Sequence, residues 1–221
     1  MHINKFNKPV LIYFYGAPGS GKTFISRQIS ELFGIAHISA EKIRHDLFGE
    51  ARHDKSEIQA INQIMSYMAD EFLKNGMSVI YDVSLSRAYD RKNLREMVRK
   101  NRAQDLLVWI QVDLDTCWQR LQKRDKRTLD DKYAGDLTNE QFEQYVRIMQ
   151  PPTNEDYLVL SGKHLFNSQK QAIMRRLMDM NLLNLDAFQH KIPKPEMVNL
   201  VSRAQAQAGR VDYSRRSISI Q

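Results

Sequence analysis

Gly16-Ala17-Pro18-Gly19-Ser20-Gly21-Lys22-Thr23 is the stretch whose reading decides the fold. It has the form G-x-x-x-x-G-K-[ST], and each fixed residue in that pattern has a mechanical reason. Gly16, Gly19 and Gly21 let the backbone turn tightly and aim successive N–H groups inward, where a phosphate chain can sit. A helix opening near Lys22 adds the positive end of its dipole. The Lys22 ammonium can reach the β- and γ-phosphates of a nucleoside triphosphate, and the Thr23 hydroxyl can join a Mg²⁺ shell. The whole loop, Ala17, Pro18 and Ser20 included, is therefore expected to bind nucleotide.

The flanks supply the context that this mechanism needs. Pro9 to Tyr15 is a continuous apolar run of the kind a buried parallel strand shows. Ile25, Ile29, Leu32 and Phe33 then mark one face of a helix. Further along, apolar runs at 34–39, 77–82, 106–113 and 157–160 alternate with helical periodicity. That βα rhythm predicts an α/β fold, a five-stranded parallel sheet flanked by helices, with ligands at the carboxyl edge of the strands.

Several charged residues fall at that edge. Ser39 looks like the N-cap of a short helix carrying Glu41 and Arg44 on one side. Asp82 ends the third strand, where a carboxylate can hold Mg²⁺ or accept a proton, and Asp113 is its rival after the fourth. Arg87 and Arg91 open the next helix and can present guanidinium groups to the same edge. Asp115 is expected to cap the helix that bears Arg120. The run Arg120, Lys123, Arg124, Lys126 and Arg127 leads into a polar stretch, read as a small lid over about 124–138. Thr138 to Gln141 and Ser168 to Gln171 both have the capping-box form and predict helix starts.

At 221 residues the chain fits one domain over 1–181 with a basic appendage over 182–221, partly helical or disordered. Cys117 is the single cysteine, which excludes an internal disulfide and a cysteine-based zinc site. No apolar run approaches the roughly 20 residues that span a bilayer, and the first residues lead directly into a strand, so the expectation is a cytoplasmic protein. A net charge of +7 favours anionic partners, including nucleic acid at the lid and tail. Sequence alone leaves the oligomeric state open.

Taken together, these residues resemble the P-loop kinases of the polynucleotide 5′-kinase and zeta-toxin type, a group rich in small ATP-binding proteins. The likeness runs from about Val10 to about Leu177. It implies that Glu41 takes the proton of an acceptor hydroxyl, although the family usually has aspartate there. It also implies that Arg44, with Arg87 and Arg91, binds substrate, that Asp82 and Thr23 handle Mg²⁺, and that Arg120 and Arg124 form the lid pair R-x-x-x-R. The Pro151-Pro152-Thr153-Asn154-Glu155 motif is a structural element in the group. The implied reaction moves the γ-phosphoryl of ATP, or GTP, to a hydroxyl on a polynucleotide, nucleoside, sugar nucleotide or other small molecule. The alternative is a nucleotide-binding regulatory protein in which the catalytic base is lost.

Overall fold

The computed structural model describes residues 5–49 and 54–183. Residues 184–221, most of the basic tail, lie outside the described residues. The five strands among the described residues are β1 (Val10–Tyr15), β2 (Ala36–Ser39), β3 (Val79–Asp82), β4 (Gln104–Gln111) and β5 (Tyr157–Ser161). They form one sheet in the order β2-β3-β1-β4-β5. All pairings are parallel, with Tyr13 beside both Tyr81 and Leu107 in register. The central strand β1 is buried along its whole length, which is why its sequence is apolar at every position rather than alternating.

Seven helices lie among the described residues: α1 (Lys22–Phe33), α2 (Ala40–Phe48), α3 (Lys55–Lys74), α4 (Ala88–Lys100), α5 (Leu114–Gln122), α6 (Asn139–Ile148) and, after β5, α7 (Phe166–Asp179). On one face of the sheet Leu11, Tyr13, Tyr81 and Leu107 pack with Ile61, Met65, Ala69 and Leu73 of α3 and Leu94 and Val98 of α4. The opposite face receives α1, through Ile25, Ile29 and Phe33, with α7 beside it at the Phe24–Phe166 ring contact. Phe6 pairs with Leu183 in an antiparallel bridge, and Leu182 and Leu183 are buried.

Local sequence explains most helix ends. Ser39 caps α2, and Thr138 and Gln141 form the full reciprocal capping box of α6. Two expectations are corrected. Asp113, not Asp115, caps α5 by accepting from the Thr116 N–H at 2.9 Å, because β4 ends two residues before the predicted strand does. Helix α7 starts at Phe166, with Leu165 as the cap residue, so Ser168 already sits within the first turn. The buried stripe of α3 runs Ile61, Met65, Ala69 and Leu73, which leaves Ile58 exposed at the helix start.

Candidate active site

The loop from Gly16 to Gly21 joins the end of β1 to the first turn of α1, at the carboxyl edge of the sheet. Its shape depends on glycine where the chain is tightest. Gly19 has φ +81°, and a Cβ there would stand 2.3 Å from the Cys117 carbonyl oxygen. Gly21, with φ +100°, is the residue that launches α1. The Ser20 hydroxyl oxygen is buried within the loop and has no hydrogen-bond partner among the described residues. An orphaned buried hydroxyl within this glycine loop fits a loop shaped for a polar ligand.

Lys22 Nζ donates to the Gly16 and Ala17 carbonyl oxygens, both at 2.9 Å, so the ammonium lies back across its own loop. Burial pushes its pKa down to about 8, with Asp82 pulling in the other direction. Thr23 Oγ1 is 3.5 Å from Asp82 Oδ1. The second Asp82 oxygen, Oδ2, is 3.1 Å from His37 Nε2. Hydroxyl and carboxylate oxygens side by side are the donor set that Mg²⁺ prefers, so Thr23 and Asp82 fit this cation. Asp113, the rival carboxylate, is taken up by its cap and by Lys163 at 2.5 Å, which holds it well below the usual carboxylate range.

Glu41 and Arg44 lie in the first turns of α2 and pair at 2.6 Å. Arg44 is buried, and its Nε donates to Glu57 Oε1 of α3 at 2.7 Å. Tyr145 of α6 closes this side, with its hydroxyl pushed up in pKa by burial and by Glu41. Arg124 and Glu41 both act on the Lys22 charge, which puts the lid arginine and the α2 acid in the field of the same ammonium.

The other arginines have different surroundings. Arg87 is the exposed cap residue of α4. Arg91 is fully buried; it pairs with Glu155 at 2.7 Å, donates to the Leu85 and Ser86 carbonyl oxygens, and lies 5.1 Å from the Tyr15 ring centre. Arg120 donates to the Gly162 carbonyl oxygen at 3.0 Å, and Arg124 to that of Gly135 at 2.9 Å. The lid stretch after α5 is held to α1 by a two-pronged pair between Arg27 and Asp130, at 2.7 and 3.0 Å.

Sequence reasoning missed four participants: His37, Glu57, Arg27 and Gly162. A Cβ on Gly162 would stand 2.7 Å from the Ser20 carbonyl oxygen, so the turn after β5 presses on the phosphate loop. Only the alternation of β2 offered a hint for His37, which shares a strand face with Ser39.

A parallel sheet with a glycine loop, lysine and threonine at the end of its central strand defines a kinase-like P-loop nucleotide-binding protein. The family model described as an AAA domain matches residues 11–152, and the chain belongs to that family. An adenylate kinase of Bacteroides fragilis is 30% identical over 131 residues, 53% of this chain and 68% of its own length. A shikimate kinase of Rhizobium meliloti is 26% identical over 124 residues, 53% of this chain and 60% of its own length, so the chain spans less than two thirds of that relative. Among solved structures, the Mycobacterium tuberculosis APS kinase CysC with AMPPNP and APS superposes with a TM-score of 0.58. Its identity is 18%, with 77% of this chain and 98% of that one covered, a likeness of fold.

Proposed function

We propose that this protein transfers the γ-phosphoryl group of ATP to a hydroxyl acceptor held against α2. The observation that carries the reading is the shared carboxyl edge of the sheet: Lys22 opens α1 after β1, Glu41 lies in the first turn of α2 after β2, and Asp82 at the end of β3 lies 3.5 Å from Thr23. The acceptor oxygen attacks the γ-phosphorus as its proton passes to the Glu41 carboxylate. The bond from the γ-phosphorus to the β–γ bridging oxygen breaks, and ADP leaves. Arg44 holds Glu41 in place through their 2.6 Å pair. Lys22 swings from its loop carbonyls onto the phosphates, and Arg120 and Arg124 add charge to the transferring group when the lid closes. Thr23 and Asp82 would hold Mg²⁺, which neutralises charge building on the β- and γ-phosphate oxygens.

The relatives' names, adenylate kinase and shikimate kinase, support phosphoryl transfer without fixing the acceptor. The test is incubation with labelled Mg-ATP and separate pools of nucleosides, sugars, small alcohols and 5′-hydroxyl oligonucleotides. Label appearing on one pool is the expected result. Lys22→Ala should abolish it, and Glu41→Gln should cut it by about 10²-fold or more while ADP still binds. Transfer that survives Glu41→Gln removes Glu41 as the base. Tight nucleotide retention without transfer to any pool makes the protein a nucleotide-dependent binder instead. An oligonucleotide acceptor should also lose affinity steeply as salt rises.

A further inference from the structure

Asp82 has two carboxylate oxygens, and the structure divides them between two different neighbours. Oδ1 faces Thr23 of the phosphate loop, and Oδ2 faces His37 Nε2 at 3.1 Å. Sheet register explains the second contact. Ser39 lies beside Asp82 and His37 beside Ile80, so His37 reaches Asp82 along the diagonal between neighbouring parallel strands. Ile38 and Tyr81 point into the core on the α3 and α4 face, so His37 and Asp82 share the face that carries α1 and Thr23. The Asp82 side chain is only 6% exposed and that of His37 22%. A buried carboxylate can turn about its last bond, and one N–H donor on its outer oxygen stops that rotation.

We infer that His37 is a positioning residue: its Nε2–H holds Asp82 so that Oδ1 stays on the metal side, and this sets how tightly the nucleotide-bound site holds Mg²⁺. The inference rests on the proposed role of Asp82 in holding that ion. It deepens that role by adding a partner on the edge strand that touches neither nucleotide nor acceptor. Partners of this kind, when removed, typically cost 10–100-fold in metal affinity.

The test uses the full chain and needs no acceptor. ADP affinity is measured by calorimetry with Mg²⁺ and with a chelator, and Mn²⁺ binding to the ADP complex is followed by electron paramagnetic resonance. Four variants are compared. His37→Leu removes the donor, and His37→Asn is polar but too short to reach. His37→Gln can place an amide N–H near the position of Nε2, and Asp82→Asn reports the loss of the carboxylate itself.

The expected result is a drop of about tenfold or more in Mn²⁺ affinity and in the Mg²⁺-dependent gain for His37→Leu and His37→Asn. His37→Gln stays within a few-fold of the parent chain, and ADP affinity without metal is unchanged in the three His37 variants. If His37→Leu and His37→Asn keep the metal-dependent gain while Asp82→Asn loses it, the inference is wrong and the role of Asp82 stands. If Asp82→Asn also keeps the gain, both fall. Equal losses in His37→Gln and His37→Leu, or a parallel loss of metal-free ADP binding, reduce His37 to a packing role and overturn the inference.

Discussion

Lys22 carries the clearest pH signature at the scale of one residue. Its ammonium is shut away from water against the loop carbonyls, and this lowers its pKa from 10.5 to about 8. Phosphate oxygens favour the charged form, so the value rises when nucleotide binds. The sign follows directly. Below about pH 7 the lysine is charged before and after binding, and it adds no pH dependence. Above about pH 8, binding takes up a proton and affinity falls by up to about tenfold per pH unit. ADP titrations at about pH 7 and 9, in buffers of different ionisation enthalpy, should show that uptake, and Lys22→Met should abolish it. The same depression lowers folding stability at neutral pH, because the unfolded chain holds the proton more tightly. That cost is relieved as pH climbs from about 8 toward 10.5.

At the scale of elements, Arg91 of α4 joins three pieces of chain. It binds Glu155 ahead of β5, and it donates to Leu85 and Ser86 in the loop that follows Asp82. Gln150 tightens the same junction, its N–H donating to the Ser86 carbonyl oxygen at 2.8 Å and its Oε1 accepting from the Ala88 N–H. Burial pushes the Glu155 carboxyl up, but hydrogen bonds and charge from Arg91 and Arg95 outweigh it and leave it below its ordinary value. Removing one member of a buried pair strands the other, so Arg91→Met should cost about 3 kcal/mol in urea unfolding. Glu155 contributes stability above its unfolded value of 4.5, and that contribution disappears as pH falls through its lower folded value. The stability gap between Glu155→Gln and the parent chain should therefore shrink between neutral pH and about pH 3.

For the whole molecule, the phosphate loop is continuous with the most buried strand of the sheet, so a ligand bound there should stabilise the fold globally. At about 100 times its Kd, Mg-ADP adds about 2.7 kcal/mol. For a chain of this size that corresponds to a rise of about 5–10 °C in melting temperature. Differential scanning calorimetry should show this for the parent chain and lose most of it in Lys22→Ala. Among the described residues, no helix is long and apolar enough to cross a membrane. A cavity of about 640 Å³ opens beside Gly16 and Ala17, within the size range of small-molecule sites.

How much of this was legible in sequence follows from the range of the forces involved. Gly16 to Thr23 declares itself because its chemistry is made by neighbours along the chain: glycine torsions, a helix start, one lysine and one hydroxyl. The strands and most helices were equally readable, since burial on both faces and a 3.6-residue period are written locally. Helix starts were less secure, because competing caps lie within two residues of each other. Asp113 was chosen over Asp115 by where the preceding strand ends, and α7 opens at Phe166, two residues ahead of Ser168. Tertiary structure alone decided the long-range partners of the charges. Arg44 meets Glu57 thirteen residues away and Arg91 meets Glu155 sixty-four away, and periodicity carries no record of either. His37 and Asp82, forty-five residues apart, meet only because β2 lies beside β3 in one particular register. The phosphate loop was thus fixed by local sequence, while the choice of partners around it was fixed by strand order and burial.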